Sequence, residues 1–325
     1  MSDTPQTLQK DIEKQFAKMY DFPNKFTVSL LKYSENIIYK ISFENSEPVV
    51  FRIHRLGYHS FDELESELIW MNEICTETDL LLPKAFVGKD GKFLQTLISS
   101  SGIKYFCSVI SFLYGKAVGE LKGIELINNM EIIGKITAKL HLQSINRNNR
   151  KKLKRPNWDT DEFFGNNAVW GHWFNYKGLT ENDIKLFTDC QNKIITSLDK
   201  YGRTPEHYGM IHADMHFFNI ISDGEKAQII DFDDCGYGFY LYDLGCTLVT
   251  YSEDLDTLTD SWLKGYEHIR PLGKDDKDMI PAFILLRRIV RLAWLSTHSD
   301  SDTAKTVGPE YLEITRKLAE KYIGI

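Results

Sequence analysis

Residues 210–245, MIHADMHFFNIISDGEKAQIIDFDDCGYGFYLYDLG, constrain this chain more than any other segment. Asp223-Gly224 is a two-residue turn signal between apolar flanks and predicts a β-hairpin. In that register Ser222 pairs with Glu225, Asn219 with Gln228, and Asp231 lies opposite His216. Asn219, Asp231 and the loop carrying Asp214 are thus expected to converge at the open end of one hairpin. An amide oxygen and a carboxylate are hard ligands that suit Mg2+. A second carboxylate beside the metal can take a proton from a hydroxyl nucleophile. Phosphoryl transfer from ATP uses such a layout, because positioning and charge neutralisation supply most of its catalysis.

A change of periodicity divides the chain. From Phe26 to about Leu113 it reads mostly as strands: FTVSLLKY, NIIYKISFE, VVFRIHR, AFVGKDGKFLQTLI (bent at Asp90-Gly91) and KYFCSVISFL. One helix interrupts them, with Phe61, Leu64, Leu68, Met71 and Cys75 at three- and four-residue steps. After Tyr114-Gly115 the period turns helical. Leu126, Met130, Ile133, Ile136 and Leu140 form one stripe, and further helices are expected at 180–200, 256–269, 279–297 and 310–322. The hairpin near 219–233 is the single β element expected in this half. The expected fold class is α+β: a small β-rich lobe over 1–112, a hinge at 113–116 and a larger, mostly helical lobe over 117–325.

HADMHFFN resembles the catalytic loop of the protein-kinase-like fold, H-x-D-x-x-x-x-N, and IIDFDD resembles the metal-binding segment that follows it. The loop without arginine, the I-D-F-D strand and the later D-L-G are similar to the aminoglycoside phosphotransferase and choline kinase superfamily, over about residues 26–295. The resemblance implies a two-lobed kinase that uses ATP and Mg2+. It makes Asp214 the catalytic base and His212 a brace of the catalytic loop. Asn219 and Asp231 become Mg2+ ligands, Asp233 a further carboxylate of the metal site, and Asp243 a structural acid beneath it.

Strand alternation in Val49-Val50-Phe51-Arg52 puts Val50 and Arg52 on one face. On the kinase pattern Val50 touches adenine and Arg52 reaches the phosphates, with Glu67 rather than Glu63 as its partner. Two features depart from that pattern. Arg52 stands where lysine is usual, as a permanent, fork-shaped cation. The turn Tyr33-Ser34-Glu35-Asn36 replaces a Gly-rich loop, so Ser34 and Asn36 are expected near the phosphates. Ser111 and Leu113, leading into the hinge, complete the expected nucleotide contacts.

Between 156 and 176 stand Trp158, Phe163, Phe164, Trp170, Trp173, Phe174 and Tyr176. They form either a core patch or one wall of an acceptor pocket, in which Trp170 and Trp173 face a cationic amine. Arg287 and Arg291 lie one helical turn apart in FILLRRIVRLAWL. They either pair with Asp243 or a neighbouring carboxylate, or bind an anionic group on the acceptor. The expected acceptor is a small amino- or ammonium-bearing alcohol, an amino sugar or a homoserine-like molecule. Nothing resembles an activation loop ending in A-P-E, which disfavours a protein Ser/Thr kinase. A nucleotide-binding pseudokinase module is the other alternative, and the presence of Asp214, Asn219 and Asp231 argues against it.

Thirty-nine Lys and Arg against 46 Asp and Glu, a net charge of −7, disfavour a nucleic-acid partner. The most apolar stretch, Ile280 to Leu295, is short and interrupted by three arginines, so no membrane partner is expected. His212 and His216 lack the adjoining glutamate of a zinc-binding HExxH. Five cysteines, none at CxxC spacing, and a polar N-terminus without a signal-peptide core suggest a reducing, cytoplasmic setting.

Overall fold

The computed structural model describes every residue except 1–2, 34–35, 148–149, 223–225, 251–253, 302–303, 306 and 308. The chain begins α1 (Pro5–Met19), β1 (Phe26–Tyr33), β2 (Ile37–Phe43), β3 (Val49–Ile53), α2 (Phe61–Glu77), β4 (Ala85–Phe86), β5 (Gln95–Ile98), β6 (Lys104–Ser111) and β7 (Lys116–Ala117). It continues α3 (Gly123–Arg147), β8 (Asn157–Trp158), α4 (Thr160–Phe164), α5 (Glu181–Tyr201), β9 (Tyr208–Ile211), β10 (Ile220–Ser222), β11 (Ala227–Ile229) and β12 (Gly236–Phe239). It ends α6 (Tyr242–Leu248), α7 (Leu255–Ile269), α8 (Lys274–Thr297) and α9 (Pro309–Ile323).

These elements fall into two compact units. One holds Met1–Lys116, Lys151–Arg155 and Ile221–Asp233; the other holds Ala117–Arg150, Pro156–Ile220 and Asp234–Ile325. The first unit's opening stretch ends at Lys116 and two later segments join it, so neither unit is one continuous stretch. Arg155 accounts for the first return: its Nη1 donates to the Glu63 carbonyl at 3.1 Å and its Nη2 to the Asp233 carbonyl. The second carries β10 and β11, which with β7 make a three-stranded sheet. The Asp223-Gly224 turn expected between them, with Glu225, lies outside the described residues.

The first unit is built on a six-stranded sheet of order β1-β2-β3-β6-β4, with β5 also on β6. Alternation in β3 decides what each face does. Val49, Phe51 and Ile53 enter a core with Leu8, Ile12 and Phe16 of α1, and Arg52 projects from the opposite face. The strand-rich reading leaves out α1, although Leu8, Ile12 and Phe16 repeat every four residues and Thr4 caps the helix by accepting from the Thr7 N–H. On α2 the Ser60 hydroxyl accepts the Glu63 N–H, and the Glu63 carboxylate accepts the Ser60 N–H in return. Glu63 is thereby used as a cap. The expected bent strand over 85–98 is instead two short strands, β4 and β5, both paired with β6.

In the second unit α3 and α7 cross with their backbones nearly touching. A Cβ on Gly134 would lie 2.0 Å from the Trp262 carbonyl oxygen, and one on Gly265 would lie 1.9 Å from that of Glu131. The four long helices expected after residue 180 all form. Their neighbour, a β8-β12-β9 sheet, corrects the expectation of a single β element in this half. Its strands are two to four residues long, too short to show a period of two. No described helix is long and apolar enough to cross a membrane.

Candidate active site

In the second unit the HADMHFFN loop leaves β9 and is held from beneath by α6. Asp243, fully buried, accepts the Ala213 N–H on Oδ1 at 2.8 Å and the His212 N–H on Oδ2 at 3.1 Å. Its Oδ2 also meets His141 Nε2 at 3.1 Å. The Cys246 thiol donates to the Ala213 carbonyl at 2.9 Å, and the Thr247 hydroxyl donates to that of Met215 at 2.9 Å. These bonds hold Ala213 in the left-handed region at φ 65, a strained conformation for a residue with a Cβ. Within the loop, His212 Nδ1 accepts the Asp214 N–H at 3.3 Å. The helical spacing of Asp243, Cys246 and Thr247 is the legible signal for the brace from α6.

The loop presents Asp214 with both carboxylate oxygens engaged. Asn219 Nδ2 donates to Oδ2 at 3.0 Å, and His216 Nε2 lies 3.2 Å from the same oxygen. Arg287 Nη2 of α8 donates to Oδ1 at 2.9 Å. Burial opposes the charge, yet His216 and Arg287 outweigh it and hold the carboxyl well below the usual carboxylate range. With Nδ2 turned to Asp214, the Asn219 amide oxygen is left as a hard donor for a cation.

The expected acceptor residues do different work. Arg287 pairs with Asp214 rather than Asp243, and its guanidinium lies 4.7 Å over the Trp170 ring, so the cation facing Trp170 belongs to the protein. Trp173 is core: its indole N–H donates to Gln191 at 2.7 Å and its ring packs edge-on against Phe187. Arg291 lies over the Tyr311 ring. Trp158 and Phe163 are buried with Trp170, so three of the seven aromatics of 156–176 form one packed cluster.

In the first unit Arg52 and Glu67 form a buried ion pair, Nη2 to Oε1 at 2.5 Å. Burial works against the Arg52 charge, but Glu67, Asp233 and Asp231 outweigh it and keep the guanidinium protonated. His54 shares the Arg52 face by strand alternation, a placement the sequence already carried. Its Nε2 meets Ser108 Oγ at 3.1 Å, and burial pushes its pKa well down, so the ring is neutral. Ligand atoms of His54, Glu67 and Asp233 lie within 4.8 Å of one another. His54 Nδ1, Glu67 Oε2, Asp233 Oδ1 and Arg52 Nε are buried without a hydrogen-bond partner among the described residues. Asp231 follows β11 in the left-handed region at φ 64. Orphaned acceptors, a left-handed aspartate and an unmet arginine donor fit a site that takes a phosphate with its divalent cation.

The remaining expected nucleotide contacts are less committed. Val50, Ser111 and Leu113 are half-buried, and the Ser111 hydroxyl accepts the Lys84 N–H at 3.0 Å. The Asn36 amide oxygen accepts the Arg55 N–H at 3.0 Å. Ser34 lies outside the described residues.

Comparison with known proteins bears on this geometry. A microcompartment-associated aminopropanol kinase of known structure has a TM-score of 0.84 to this chain and 30% identity, over 97% of both chains. The amicoumacin kinase of Bacillus subtilis (strain 168) is 24% identical over 328 residues, 94% of this chain and 92% of that one. An amicoumacin kinase solved with AMP-PNP, Ca2+ and Ami shares the fold, with a TM-score of 0.74 at 18% identity over 98% of this chain and 96% of that one. The model of the phosphotransferase enzyme family matches residues 33–276. The chain belongs to that family and is an ATP-dependent kinase with the protein-kinase-like fold.

Proposed function

We propose that this kinase moves the γ-phosphoryl group of ATP to the hydroxyl of a small amino- or ammonium-bearing alcohol, an amino sugar or a homoserine-like hydroxy amino acid. The observation that carries the reading is Asp214: an ionised carboxylate on a loop braced at four points by α6, where it can accept a hydroxyl proton. Likeness to the aminopropanol kinase over 97% of both chains favours an amino alcohol among the three classes.

In this reading Arg52, held by Glu67, binds phosphate oxygens with its remaining donors. Val50 meets the adenine, and Asn36, Ser111 and Leu113 line the nucleotide. Asp231, Asp233 and the amide oxygen of Asn219 are the residues that would hold Mg2+, which when bound neutralises charge on the phosphate oxygens. Asp214 orients the acceptor hydroxyl and takes its proton as the phosphoryl group moves. Five free cysteines and the acidic balance support a cytoplasmic enzyme without a nucleic-acid partner.

A coupled ADP-release screen over amino alcohols, amino sugars and hydroxy amino acids, with ATP and Mg2+, tests the reading. One class should raise ADP release well above the acceptor-free rate. A rate that no member of the three classes changes would refute it.

A further inference from the structure

Bracing by α6 fixes the backbone of the catalytic loop but leaves the Asp214 carboxylate undetermined. The χ2 torsion of aspartate is broad and two-fold, so partners of its two oxygens set where they point. The partners of Oδ2, His216 and Asn219, belong to the loop itself. The partner of Oδ1 comes from a separate element, α8. Arg287 is 6% exposed, seated 4.7 Å over Trp170, with Nη1 3.3 Å from the Tyr242 hydroxyl. Gly245 lets α6 and α8 approach closely enough for this: a Cβ there would lie 2.6 Å from the Phe283 carbonyl oxygen and 3.1 Å from Arg287 Cβ. Trp170, Tyr242 and Gly245 thus share one task, to hold a desolvated guanidinium at one oxygen of the base.

We propose that Arg287 is a positioning residue for phosphoryl transfer, one that fixes the Asp214 carboxylate at a single rotation and so aligns the acceptor hydroxyl. The proposal rests on Asp214 being the base. A fixed carboxylate matters in the transition state more than in nucleotide binding, so the effect belongs to kcat. A misplacement of about 1 Å can cost about a hundredfold.

The test is a cycle of Arg287→Met, Arg287→Lys, Asp214→Asn and the double variant Arg287→Met/Asp214→Asn, assayed by ADP release with 1-amino-2-propanol, ethanolamine and L-homoserine. Arg287→Met should lower kcat by about tenfold to a hundredfold, with the KM for ATP changed by less than about twofold. Arg287→Lys, which keeps the charge without the fork, should recover part of the loss. In the Asp214→Asn background the second substitution should cost nothing further, because the arginine acts through the aspartate. Wild-type kcat in Arg287→Met, or an equal loss in both backgrounds, would overturn the proposal. If Arg287→Met fails to fold, Arg287→Lys in the two backgrounds makes the same comparison. If none of the three acceptors raises ADP release by wild type above the acceptor-free rate, the acceptor reading fails by itself. The same ratios, read on hydrolysis of ATP by water, then decide the role of Arg287.

Discussion

Asp243→Asn keeps the size of a fully buried side chain and removes one of its two acceptor oxygens. In the native loop Oδ1 takes the Ala213 N–H at 2.8 Å, and Oδ2 takes the His212 N–H at 3.1 Å with His141 at 3.1 Å. Whichever way the amide turns, it sets an NH2 against a backbone N–H that has no water to fall back on. A buried donor left unsatisfied costs about 1–3 kcal/mol, and the surviving bond loses its charge assistance. The sum is about 2–4 kcal/mol, a large fraction of a typical stability of about 5–15 kcal/mol. The loss is expected to reach the chemistry, because the same bonds hold Ala213 at φ 65 one residue before Asp214. Once released, the strain of about 1–3 kcal/mol at that residue relaxes the loop. Urea unfolding should show a lower midpoint, and ADP release a kcat down by about tenfold or more with little change in the KM for ATP. A wild-type midpoint would mean that Asp243 does not hold the loop. A lowered midpoint with wild-type kcat would mean that the base does not depend on it.

Arg52→Ala should raise the KM for ATP and lower kcat/KM, and Arg52→Lys should keep much of the activity; unchanged kinetics in the alanine variant, measured by ATP titration, would remove Arg52 from the phosphate site. Asp231→Ala should abolish the Mg2+ dependence of ATP binding in calorimetric titrations, and equal dependence in variant and wild type counts against Asp231 as a ligand. Asp183, bonded by Arg316 at 2.5 Å and used in the N-terminal cap of α5, has its pKa lowered from 3.8 to about 2. A lowered carboxyl pKa stabilises the fold above pH 3.8, so Asp183→Asn should cost up to about 2 kcal/mol at neutral pH. The gap between variant and wild type should close as pH falls through about 2, and a pH-independent gap in chemical denaturation would contradict the assignment.

How much of this was legible in the sequence depended on the length of the pattern. The long helices showed themselves through stripes such as Met130, Ile133 and Leu140, and α8 was foreshortened only because its first turn, KDDKD, is polar. The short strands β8, β9 and β12 carried no readable period. Arg52 and Glu67 could be paired because strand alternation and helical position are local, and they meet at 2.5 Å. Arg287 on Asp214 could not, since 73 residues separate them and several carboxylates competed for the same arginine. Trp170 had the right chemistry for a cation, but composition alone does not say whose cation it is. Gly245 in D-L-G gives its reason only once the Phe283 carbonyl stands 2.6 Å from its missing Cβ.

The most direct test of the account is phosphorus NMR of the reaction products, with ATP, Mg2+ and the amino alcohol, amino sugar or hydroxy amino acid that gives the highest ADP release, for wild type and Asp214→Asn. Wild type should convert the γ-phosphate into a phosphate ester of the acceptor, one for each ADP formed. Asp214→Asn should do so about 10²–10⁴-fold more slowly while binding ATP as wild type does. ADP accompanied only by inorganic phosphate, or an ester formed equally fast by the variant, would contradict the assignment of this site as an acceptor kinase with Asp214 as its base.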